Sequence, residues 1–449
     1  MEQNSNFETK IVDEYEDFIS DKKGIIRIKK LEKAPDQFIW ELPSSKSHFI
    51  RWLFIAAQSS KKTIIKITGN IGNDILTCAN VLEKLGIKIQ KKSNYWIVHG
   101  CNPKEFNRNP GILDCGNSAT TLRFLSFLLG RNGINAQIIG DDSLSNRNFS
   151  ELIEILEKGG VFVENVKEGF LPFTMNGIFK LDSIDVFTKK TSQLISGLLI
   201  TMPSSIEKNI INFPDKIVSK PYFELTVNLC IETGANLAFI GNSIEIKPWL
   251  PQINTEIIIP GEASLILFPL IFCKLHKCRI IVKNWPNKKE SLGFELIKDI
   301  IDYVGLIWIP DDEKVIVDLN HKKSNFFSID ISNNIDLITP LSILMAISEG
   351  GIIKGIENAV NKETNRILST IYLCKEFGLN LDYDCDLFIS KSIISSPKCT
   401  ILANRDHRLQ MSAILLLTYS GGFLESFEWY STSDPDFIKR LYCQQVRMS

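Results

Sequence analysis

The hydrophobic and polar positions along the chain follow a recurring pattern. An amphipathic stretch with apolar residues at helical spacing runs into a glycine, and a short apolar stretch follows. Glycine is common just after a helix because it adopts the left-handed conformation without a steric penalty from a Cβ atom. Each copy therefore predicts a helix, a glycine stop and a strand. The five glycines are Gly86, Gly160, Gly234, Gly305 and Gly378.

These glycines are spaced at regular intervals of 74, 74, 71 and 73 residues. Regular spacing of this kind is typical of an array of similar supersecondary units. The next glycine would fall just past Ser449, so the helix predicted at residues 435–443 lacks a following strand. The strand predicted at residues 24–30 has no helix before it. We therefore expect the beginning of the chain to complete the last unit, with both ends in one domain.

Each interval also contains a second predicted helix that opens with a polar residue. Several of these stretches are apolar on nearly all sides, which indicates helices buried within a core. Two groups of three units then make a two-domain α/β protein. The second helices are predicted at residues 47–58, 117–129, 191–202, 219–231, 263–273, 336–348 and 407–419.

Composition and charge narrow the function classes. The 449 residues are 44% hydrophobic and 23% charged, which excludes a globally disordered chain. The 51 basic residues balance 52 acidic ones, which excludes a globally basic nucleic-acid binder but leaves room for a local basic cleft. No apolar run reaches the roughly 18 residues of a membrane span, and the polar, acidic N-terminus is unlike a secretory signal or transit peptide. We expect a soluble, cytoplasmic protein with neither nucleic-acid nor membrane partners.

The ten cysteines show no disulfide framework. Cys273 and Cys278 flank His276, but a metal there would need ligands from elsewhere, and the chain has only five histidines. We expect reduced, mostly buried thiols and no metal site.

Candidate chemistry in the first half of the chain lies where the buried helices begin. Helix N-termini attract anions through their free N–H groups and the helix dipole, and Lys46 and Arg51 add cations there. One hydroxyl-rich helix start is ordinary capping, but four in one half of the chain indicate an oxygen-rich ligand. The four segments are LPSSKSHFIR (42–51), GNSATTLR (116–123), GDDSLSNR (140–147) and TSQLISGLL (191–199), and a further polar segment, VSKPY (218–222), follows.

The second half supplies carboxylates and further cations. Asp336 precedes an apolar helix, and NKETNR places Glu363 and Arg366 at the i,i+3 spacing of one helix face. That pair alone fits a solvent-exposed ion pair equally well. The segment RDHR, with Asp406 and Arg408, directly precedes another hydrophobic helix. Its charges must face a partner because they cannot enter the core unpaired.

These segments, together with GEAS at 261–264, resemble in sequence and order the motifs of the 5-enolpyruvylshikimate-3-phosphate synthase family, over roughly residues 42–437. The family fold has two similar globular domains, each of three βαβαββ-type units around buried parallel helices. The resemblance implies an N-terminal segment (1–44) that returns to the C-terminal domain, an N-terminal three-unit domain (45–259) and a C-terminal three-unit domain (260–449).

The resemblance also implies the reaction, which belongs to chorismate and aromatic amino-acid biosynthesis. The enolpyruvyl group of phosphoenolpyruvate passes to the 5-hydroxyl of shikimate 3-phosphate, and phosphate is released, without a cofactor and in a monomeric enzyme. By motif, shikimate 3-phosphate would bind Lys46, Ser47, Arg51, Thr191, Ser192, Gln193, Ser219, Asp336, Asn358 and Lys362. Phosphoenolpyruvate would bind Lys46, Ala119, Arg147, Gln193, Arg366 and Arg408. Both substrates carry a phosphate and a carboxylate, so several arginines are needed to offset their repulsion.

The reaction needs one proton delivered to the methylene carbon and another removed from the attacking hydroxyl. Asp336 and Glu363 are the candidate pair, with Lys46 assisting, and the sequence leaves open which carboxylate is the acid.

Three positions depart from the family pattern. Ser143 stands where the family usually has Arg, Ala119 where many members have Gly, and Thr432 where a lysine is expected at the phosphoenolpyruvate end. Lys439 and Arg440, about two helical turns on, are candidates to replace that lysine in part.

Two alternatives stay open. One is a non-catalytic descendant that binds phosphorylated ligands, which the departures at Ser143 and Thr432 favour. The other is the related UDP-N-acetylglucosamine enolpyruvyl transferase, which carries a cysteine in the loop that here spans residues 140–148. That loop has no cysteine, and Cys115 lies before the helix start instead.

Overall fold

The structure is a computed structural model that describes residues 24–165, 167–254, 256–311, 314–320, 324–425 and 428–446. The acidic N-terminal segment lies outside these residues. The helices are α1 (Lys46–Ala57), α2 (Asn73–Lys84), α3 (Ala119–Asn132), α4 (Asp142–Ser145), α5 (Ser150–Lys158), α6 (Gln193–Ile200), α7 (Lys220–Glu232), α8 (Leu267–His276), α9 (Ile297–Ile300), α10 (Ile338–Ala346), α11 (Arg366–Glu376), α12 (His407–Ser420) and α13 (Phe437–Val446).

The strands are short and number three to six residues each. They are β1 (Ile25–Ile28), β2 (Gln37–Glu41), β3 (Lys62–Ile67), β4 (Lys88–Lys91), β5 (Tyr95–His99), β6 (Ile112–Asp114), β7 (Ala136–Ile139), β8 (Val161–Asn165), β9 (Phe173–Gly177), β10 (Ser183–Asp185), β11 (Asn209–Asn212), β12 (Leu237–Ile240), β13 (Ser243–Ile246), β14 (Glu256–Ile259), β15 (Arg279–Lys283), β16 (Leu306–Asp311), β17 (Lys314–Leu319), β18 (Phe327–Asp330), β19 (Gly351–Lys354), β20 (Leu381–Asp384), β21 (Asp386–Ile389) and β22 (Gly422–Glu425).

Five four-stranded sheets repeat one topology. In each, a parallel pair of strands is extended by two antiparallel strands. In four of these sheets the last strand of the unit lies between the second and the third, whereas in the sheet of β3, β4, β5 and β14 the last strand, β14, lies at the edge beside β3. The spatial orders are β14-β3-β5-β4, β6-β7-β9-β8, β10-β11-β13-β12, β2-β15-β17-β16 and β18-β19-β21-β20. The predicted α/β fold of βαβαββ units is confirmed by this repetition.

The sixth sheet contains the returning strand. β1 pairs antiparallel with β22, with Ile25 opposite Glu425. On the other side of β22, Ile401 forms an isolated parallel bridge with Leu424. β1 therefore occupies the place that the last strand of the unit has in four of the other sheets. The beginning of the chain completes the last unit, as the sequence predicts.

The chain divides into two compact domains. The central domain is Ser44–Pro260, and the terminal domain combines Met1–Pro43 with Gly261–Ser449. The predicted boundaries assign Ser44 and Pro260 to the terminal domain. In the structure they belong to the central domain, because Ser44 N donates to Asn70 O at 2.9 Å and Pro260 O accepts from Ser45 N at 2.8 Å.

The core of each domain is built on its helices that are apolar on nearly all sides. In the central domain α3 packs on α6 and both contact α1, while in the terminal domain α8, α10 and α12 contact one another. These sequences are apolar nearly all round, so the helices are buried nearly all round. All nine residues of α10 and twelve of the fourteen in α12 are buried. Within the described residues, no helix is long and apolar enough to span a membrane.

The repeated glycines have the predicted conformation. All five have positive φ, between +70° and +98°, where a side chain would be strained. The helix predicted before Gly305 is shorter than expected. A 3-10 turn (Phe294–Leu296) leads into the four-residue α9, and turns follow up to the glycine. Its isoleucines are β-branched, which disfavours a longer helix.

Candidate active site

Lys46 is the first residue of α1, in the central domain. Its Nζ lies 3.1 Å from Oδ2 of Asp74, and the Asp74 side chain is only 8% exposed, in the first turn of α2. Ser47 follows on α1 and is half-buried. The side chain of Lys46 retains 27% exposure, so its ammonium is oriented by a carboxylate while remaining accessible to an anion.

Arg51 is buried, at 2% exposure, and its side chain is held by the protein. Nε donates to Thr226 Oγ1 at 2.8 Å, Nη1 to the Ser47 carbonyl at 2.9 Å and Nη2 to the Tyr222 carbonyl at 3.2 Å. Burial lowers the pKa of Arg51 to about 10, so the guanidinium remains charged at neutral pH. The sequence predicts Arg51 as a cation that attracts anions to the start of α1. The structure gives it a structural role as well, because it ties α1 to α7.

His48 on the same helix predicts a pH dependence of stability. Burial, and then the charge of Arg51, lower the pKa of His48 from 6.5 to about 3. The unfolded chain therefore takes up a proton below pH 6.5 that the folded chain does not. Stability falls as the pH drops from 6.5 towards 3, by about 1.4 kcal/mol per pH unit for this one group.

The His48→Asn variant should therefore lose that dependence, so that unfolding free energies from urea titrations between pH 4.5 and 6 have a slope shallower by about 1.4 kcal/mol per pH unit. Asparagine retains a polar atom for Ser45 Oγ, which lies 3.0 Å from His48 Nδ1. Equal slopes in the two proteins would contradict the prediction.

Asn117 links the start of α3 to the turn that carries Arg147. Its Nδ2 donates to Asp141 Oδ2 at 2.9 Å, and its Oδ1 accepts from Arg147 Nη2 at 2.8 Å. Ser143 Oγ accepts from the same Nη2 at 3.4 Å. Serine is large enough to support Arg147 here, but it adds no charge where an arginine would.

Gln193 begins α6 and accepts a hydrogen bond from Arg123 Nη1 at 2.5 Å. Arg123 also lies over the ring of Phe149, 5.1 Å from its centroid. Burial, and then repulsion by Arg147, lower the pKa of Arg123 to about 10. Arg147 and Glu151 therefore both act on the charge of Arg123, and Glu151 partly offsets the repulsion by Arg147.

The remaining hydroxyl-rich starts lie together. Thr191 Oγ1 accepts a hydrogen bond from the backbone N–H of Gln193 at 3.1 Å, and Ser192 Oγ donates to the Ser219 carbonyl at 3.4 Å. Ser219 has φ of 52°, an unusual left-handed conformation for a serine, directly before α7. The loops before α6 and α7 are therefore adjacent.

Ala119 is the first residue of α3, and Ser118 is the N-cap, with its Oγ accepting from Thr121 N. The helix thus begins two residues later than predicted. Cys115 is fully buried ahead of it, and burial raises the pKa of its thiol well above 9.0. A buried, protonated thiol is a poor nucleophile.

In the terminal domain Arg366 is the centre of a buried ionic cluster. Nε donates to Asp406 Oδ2 at 2.7 Å, Nη1 to Asp336 Oδ1 at 2.6 Å and Nη2 to Glu363 Oε2 at 2.5 Å. The side chain of Arg366 is 1% exposed, and the charges of these carboxylates outweigh its desolvation and raise its pKa. The solvent-exposed interpretation of the Glu363–Arg366 pair is therefore wrong.

Asp336 faces cations on several sides. Its Oδ1 lies 3.2 Å from Lys362 Nζ, and its Oδ2 lies 3.9 Å from Arg408 Nη2. Burial by itself would raise the pKa of the Asp336 carboxyl, but Lys362, Arg408 and Arg366 outweigh it and hold the pKa well below its usual range. Asp336 is therefore a carboxylate at neutral pH and can accept a proton but not supply one.

Arg408 is held by the GEAS segment, in the first turn of α12. Nη1 donates to the Ser264 carbonyl at 2.9 Å and Nη2 to Ser264 Oγ at 2.8 Å. Its Nε is buried without a hydrogen-bond partner among the described residues. The neighbouring His407 has Nδ1 3.9 Å from Glu363 Oε1. These contacts bring three separate segments of the domain to one place.

Local structure around the two candidate carboxylates differs from the prediction. Asp336 lies in a 3-10 turn (Ile335–Leu337) that precedes α10, and Glu363 lies three residues before α11, whose N-cap is Asn365. The i,i+3 contact forms even though Glu363 is outside the helix. Asn358 is half-buried in the 3-10 helix Glu357–Asn361.

Thr432 ends a 3-10 helix (Trp429–Thr432) in the terminal domain and is half-buried. Arg440, proposed above as a replacement for the missing lysine, is paired with Asp434 through two bonds of 2.7 and 2.9 Å and lies over the ring of Trp40. The guanidinium of Arg440 is therefore bound within the terminal domain by Asp434 and Trp40. Lys439 is exposed.

Most of the cysteines within the described residues are buried, as predicted. Six cysteines are buried and unpaired: Cys78, Cys115, Cys230, Cys273, Cys278 and Cys374. His276 Nε2 lies 2.9 Å from Thr418 Oγ1, and burial lowers the pKa of His276 to about 4. In the part of the chain that the structure describes, no group of three or more His, Cys, Asp or Glu residues could hold a metal ion.

The sequence interpretation did not assign site roles to several residues that the structure shows to be important. Asp74 and Asp406 orient the predicted site residues Lys46 and Arg366, and Ser264 holds Arg408. Asp141 binds Asn117, which in turn accepts a hydrogen bond from Arg147. Their signal in the sequence was an acidic residue at a helix start, which is indistinguishable from ordinary capping.

Comparison with known proteins identifies the family. A family model described as EPSP synthase (3-phosphoshikimate 1-carboxyvinyltransferase) matches residues 38–441. A 3-phosphoshikimate 1-carboxyvinyltransferase from Saccharolobus islandicus (strain M.14.25 / Kamchatka #1) is 28% identical over 414 residues, covering 91% of this chain and 96% of the relative. Another protein of that name, from Methanosphaera stadtmanae, is 26% identical over 429 residues, covering 93% and 98%.

Solved structures agree on the fold. EPSP synthase from Acinetobacter baumannii superposes with a TM-score of 0.72 at 20% identity, covering 94% of this chain and 98% of that one. The enolpyruvyl transferase NikO from Streptomyces tendae gives a TM-score of 0.70 at 14% identity, covering 94% and 96%. With nearly the full length matched by the family model and the six-unit topology present, the chain belongs to the EPSP synthase family.

Proposed function

We propose that this protein transfers the enolpyruvyl group of phosphoenolpyruvate to the 5-hydroxyl of shikimate 3-phosphate and releases phosphate. The observation that carries the proposal is the ionic cluster of the terminal domain. There an ionised carboxylate, Asp336, lies beside Lys362, Arg366 and Arg408. An ionised base next to several cations suits a reaction that deprotonates a hydroxyl beside phosphate and carboxylate groups.

The terminal domain would contribute proton transfer and anion binding. Asp336 is the base candidate because it is ionised at neutral pH and lies among the cations that would hold the substrates. Glu363, bonded to Arg366, is the candidate that exchanges the second proton. Arg366 and Arg408 would hold phosphoenolpyruvate, and Asn358 and Lys362 shikimate 3-phosphate. Each cation is now paired with protein oxygens, so substrate oxygens would replace part of these contacts.

The central domain would contribute the second set of polar contacts. Lys46, Ser47, Arg51, Thr191, Ser192, Gln193 and Ser219 would bind shikimate 3-phosphate. Lys46, Ala119, Arg147 and Gln193 would contact phosphoenolpyruvate. The supporting feature is the accessible ammonium of Lys46.

A phosphate-release assay tests the proposal. Phosphate should appear only when phosphoenolpyruvate and shikimate 3-phosphate are both present, and mass spectrometry should detect the enolpyruvyl ether. Release that requires UDP-N-acetylglucosamine instead would support the related transferase. Binding of both substrates without release would support a non-catalytic descendant.

The proposal includes a monomeric enzyme in the cytoplasm. Light scattering on the purified protein should give the mass of one chain at assay concentration, and a dimer mass would contradict this part of the proposal.

The substitution Thr432→Lys should improve phosphoenolpyruvate binding. A charge-assisted hydrogen bond contributes on the order of 1.5–3 kcal/mol, so the Michaelis constant for phosphoenolpyruvate should fall by roughly ten- to a hundredfold. Arg440 does not replace the missing lysine charge, because its guanidinium is bound by Asp434. The measurement varies phosphoenolpyruvate at saturating shikimate 3-phosphate.

The matched control is Ser431→Lys, which adds the same charge one residue earlier, where the serine Oγ donates to the Glu428 carbonyl at 2.6 Å. An equal improvement in both variants would indicate a general electrostatic effect rather than a restored contact.

A further inference from the structure

Asp406 connects the two arginines assigned above to phosphoenolpyruvate. Its side chain is fully buried, at 0% exposure, and it is the N-cap of α12. Oδ2 accepts from Arg366 Nε at 2.7 Å, and Oδ1 accepts from the backbone N–H of Arg408 at 2.9 Å. We propose that Asp406 is a positioning residue that fixes the orientation of both arginines and thereby sets the affinity for phosphoenolpyruvate. This inference rests on the proposed function.

The guanidinium geometry of Arg366 assigns a distinct role to each carboxylate. Asp406 occupies the Nε–Nη2 edge, with a second bond from Nη2 to Oδ1 at 3.3 Å. Asp336 and Glu363 take hydrogens of Nη1 and Nη2. A guanidinium has five N–H donors in a fixed plane, so a carboxylate on one edge determines where the other donors point.

Burial separates the fixed partner from the exchangeable ones. The Asp336 and Glu363 side chains are 21% and 12% exposed, whereas Asp406 has no exposed surface. An incoming carboxylate or phosphate can therefore reach the donors held by Asp336 and Glu363, but not those held by Asp406. Asp406 would remain bonded to Arg366 while the other two contacts change.

The link to Arg408 runs through the backbone. The Asp406 cap fixes the first turn of α12, and Arg408 projects from that turn to Ser264. Thr364 Oγ1 donates to Asp406 Oδ2 at 3.3 Å and adds a third connection, from the segment between Glu363 and α11. One buried carboxylate therefore joins the segment before α11 to the start of α12.

The test is Asp406→Asn in the full-length protein. Asparagine caps helices well and keeps an oxygen for the Arg408 N–H, but it loses the negative charge that holds Arg366 Nε. The Michaelis constant for phosphoenolpyruvate should rise by about tenfold or more, because one charge-assisted hydrogen bond contributes about that factor to affinity. Turnover at saturating substrates and the Michaelis constant for shikimate 3-phosphate should change by less than about threefold.

Asp318→Asn is the control. It breaks another Asp–Arg pair of the same domain, with Arg279, which is not part of the ionic cluster, so it should leave the Michaelis constant for phosphoenolpyruvate unchanged. If Asp406→Asn does not fold, Thr364→Val provides the second variant. Removing its hydroxyl should raise the same Michaelis constant by about two- to fivefold.

Four results would overturn the inference. A parallel change in the constants for both substrates, or a loss of turnover alone, would show that Asp406 acts only on the general fold or on the chemistry. An unchanged Michaelis constant for phosphoenolpyruvate in a folded variant would refute the positioning role of Asp406 but leave the proposed function intact. A wild-type protein that releases no phosphate from the two substrates would overturn the proposed function and this inference with it.

Discussion

Replacing Asp336 by asparagine is expected to lower turnover by about 10²–10⁴-fold, the usual contribution of a general acid–base residue. Asparagine is nearly isosteric with aspartate, so the 3-10 turn before α10 should be preserved. The change removes the ionised oxygens that face Lys362, Arg366 and Arg408. Glu363→Gln should have an effect in the same range, because it removes the second candidate for proton transfer. Steady-state turnover with both substrates saturating measures each variant.

The matched control for this prediction is Asp330→Asn, an exposed aspartate of the same domain whose Oδ1 accepts from the Ser332 amide. It should keep nearly full turnover. If Asp336→Asn or Glu363→Gln retains more than about a third of wild-type turnover, that residue is not part of proton transfer.

The depressed pKa of Asp336 also fixes the form of its pH dependence. Its folded pKa is lowered, so its carboxylate stabilises the fold above its ordinary pKa of 3.8, and that stabilisation is lost as the pH falls through the lower, folded value. Above pH 5 the base is fully ionised. Titration of Asp336 in the unliganded enzyme should therefore contribute no acid limb to kcat/KM between pH 5 and 8.

Replacing Arg366 by glutamine is expected to lower the free energy of unfolding by about 3–5 kcal/mol, because it leaves buried carboxylates without their cation. Asp406 is fully buried, and Asp336 and Glu363 are mostly buried, so water compensates little for the lost partner. Phosphoenolpyruvate binding should be weakened in the same variant. Urea unfolding monitored by circular dichroism measures the stability change.

Arg279→Gln provides the comparison. Arg279 pairs with Asp318 at 2.7 Å, the same distance as between Arg366 and Asp406, but its side chain and that of Asp318 are 51% and 29% exposed. An exposed pair contributes about 0–1 kcal/mol. Similar losses in the two variants would mean that burial does not determine the stabilisation by Arg366.

The fold was predictable to the extent that it depends on local patterns. Gly86, Gly160 and the other three glycines signal helix ends whatever the tertiary structure, because the left-handed conformation is a local requirement. The returning strand was found from the repeat, since residues 24–30 had no helix of their own. The register, with Ile25 opposite Glu425, depends on contacts between distant segments, which one sequence does not reveal.

The site was less predictable, because its partners are far apart in the chain. The sequence predicts Arg51 as an anion-attracting cation near a helix start, but it does not reveal that Thr226, 175 residues away, binds its Nε inside the domain. The sequence predicts that the charge of Asp406 faces a partner, but it does not identify that partner, because Arg366 lies 40 residues away. A cap or an ion pair can be predicted from local spacing. Burial determines how strongly such a contact stabilises the protein, and burial depends on how the units pack.

The pairing of β1 with β22 has a consequence for synthesis on the ribosome. All strands of the central domain, including β14, have been made once residue 260 is translated, so this domain can fold while the rest of the chain is still being synthesised. β1 is made among the first segments but finds its partner only when residues 422–425 emerge. Late partners of this kind slow folding and prolong exposure of unpaired strand edges. The terminal domain is therefore where we expect a nascent chain to need chaperones.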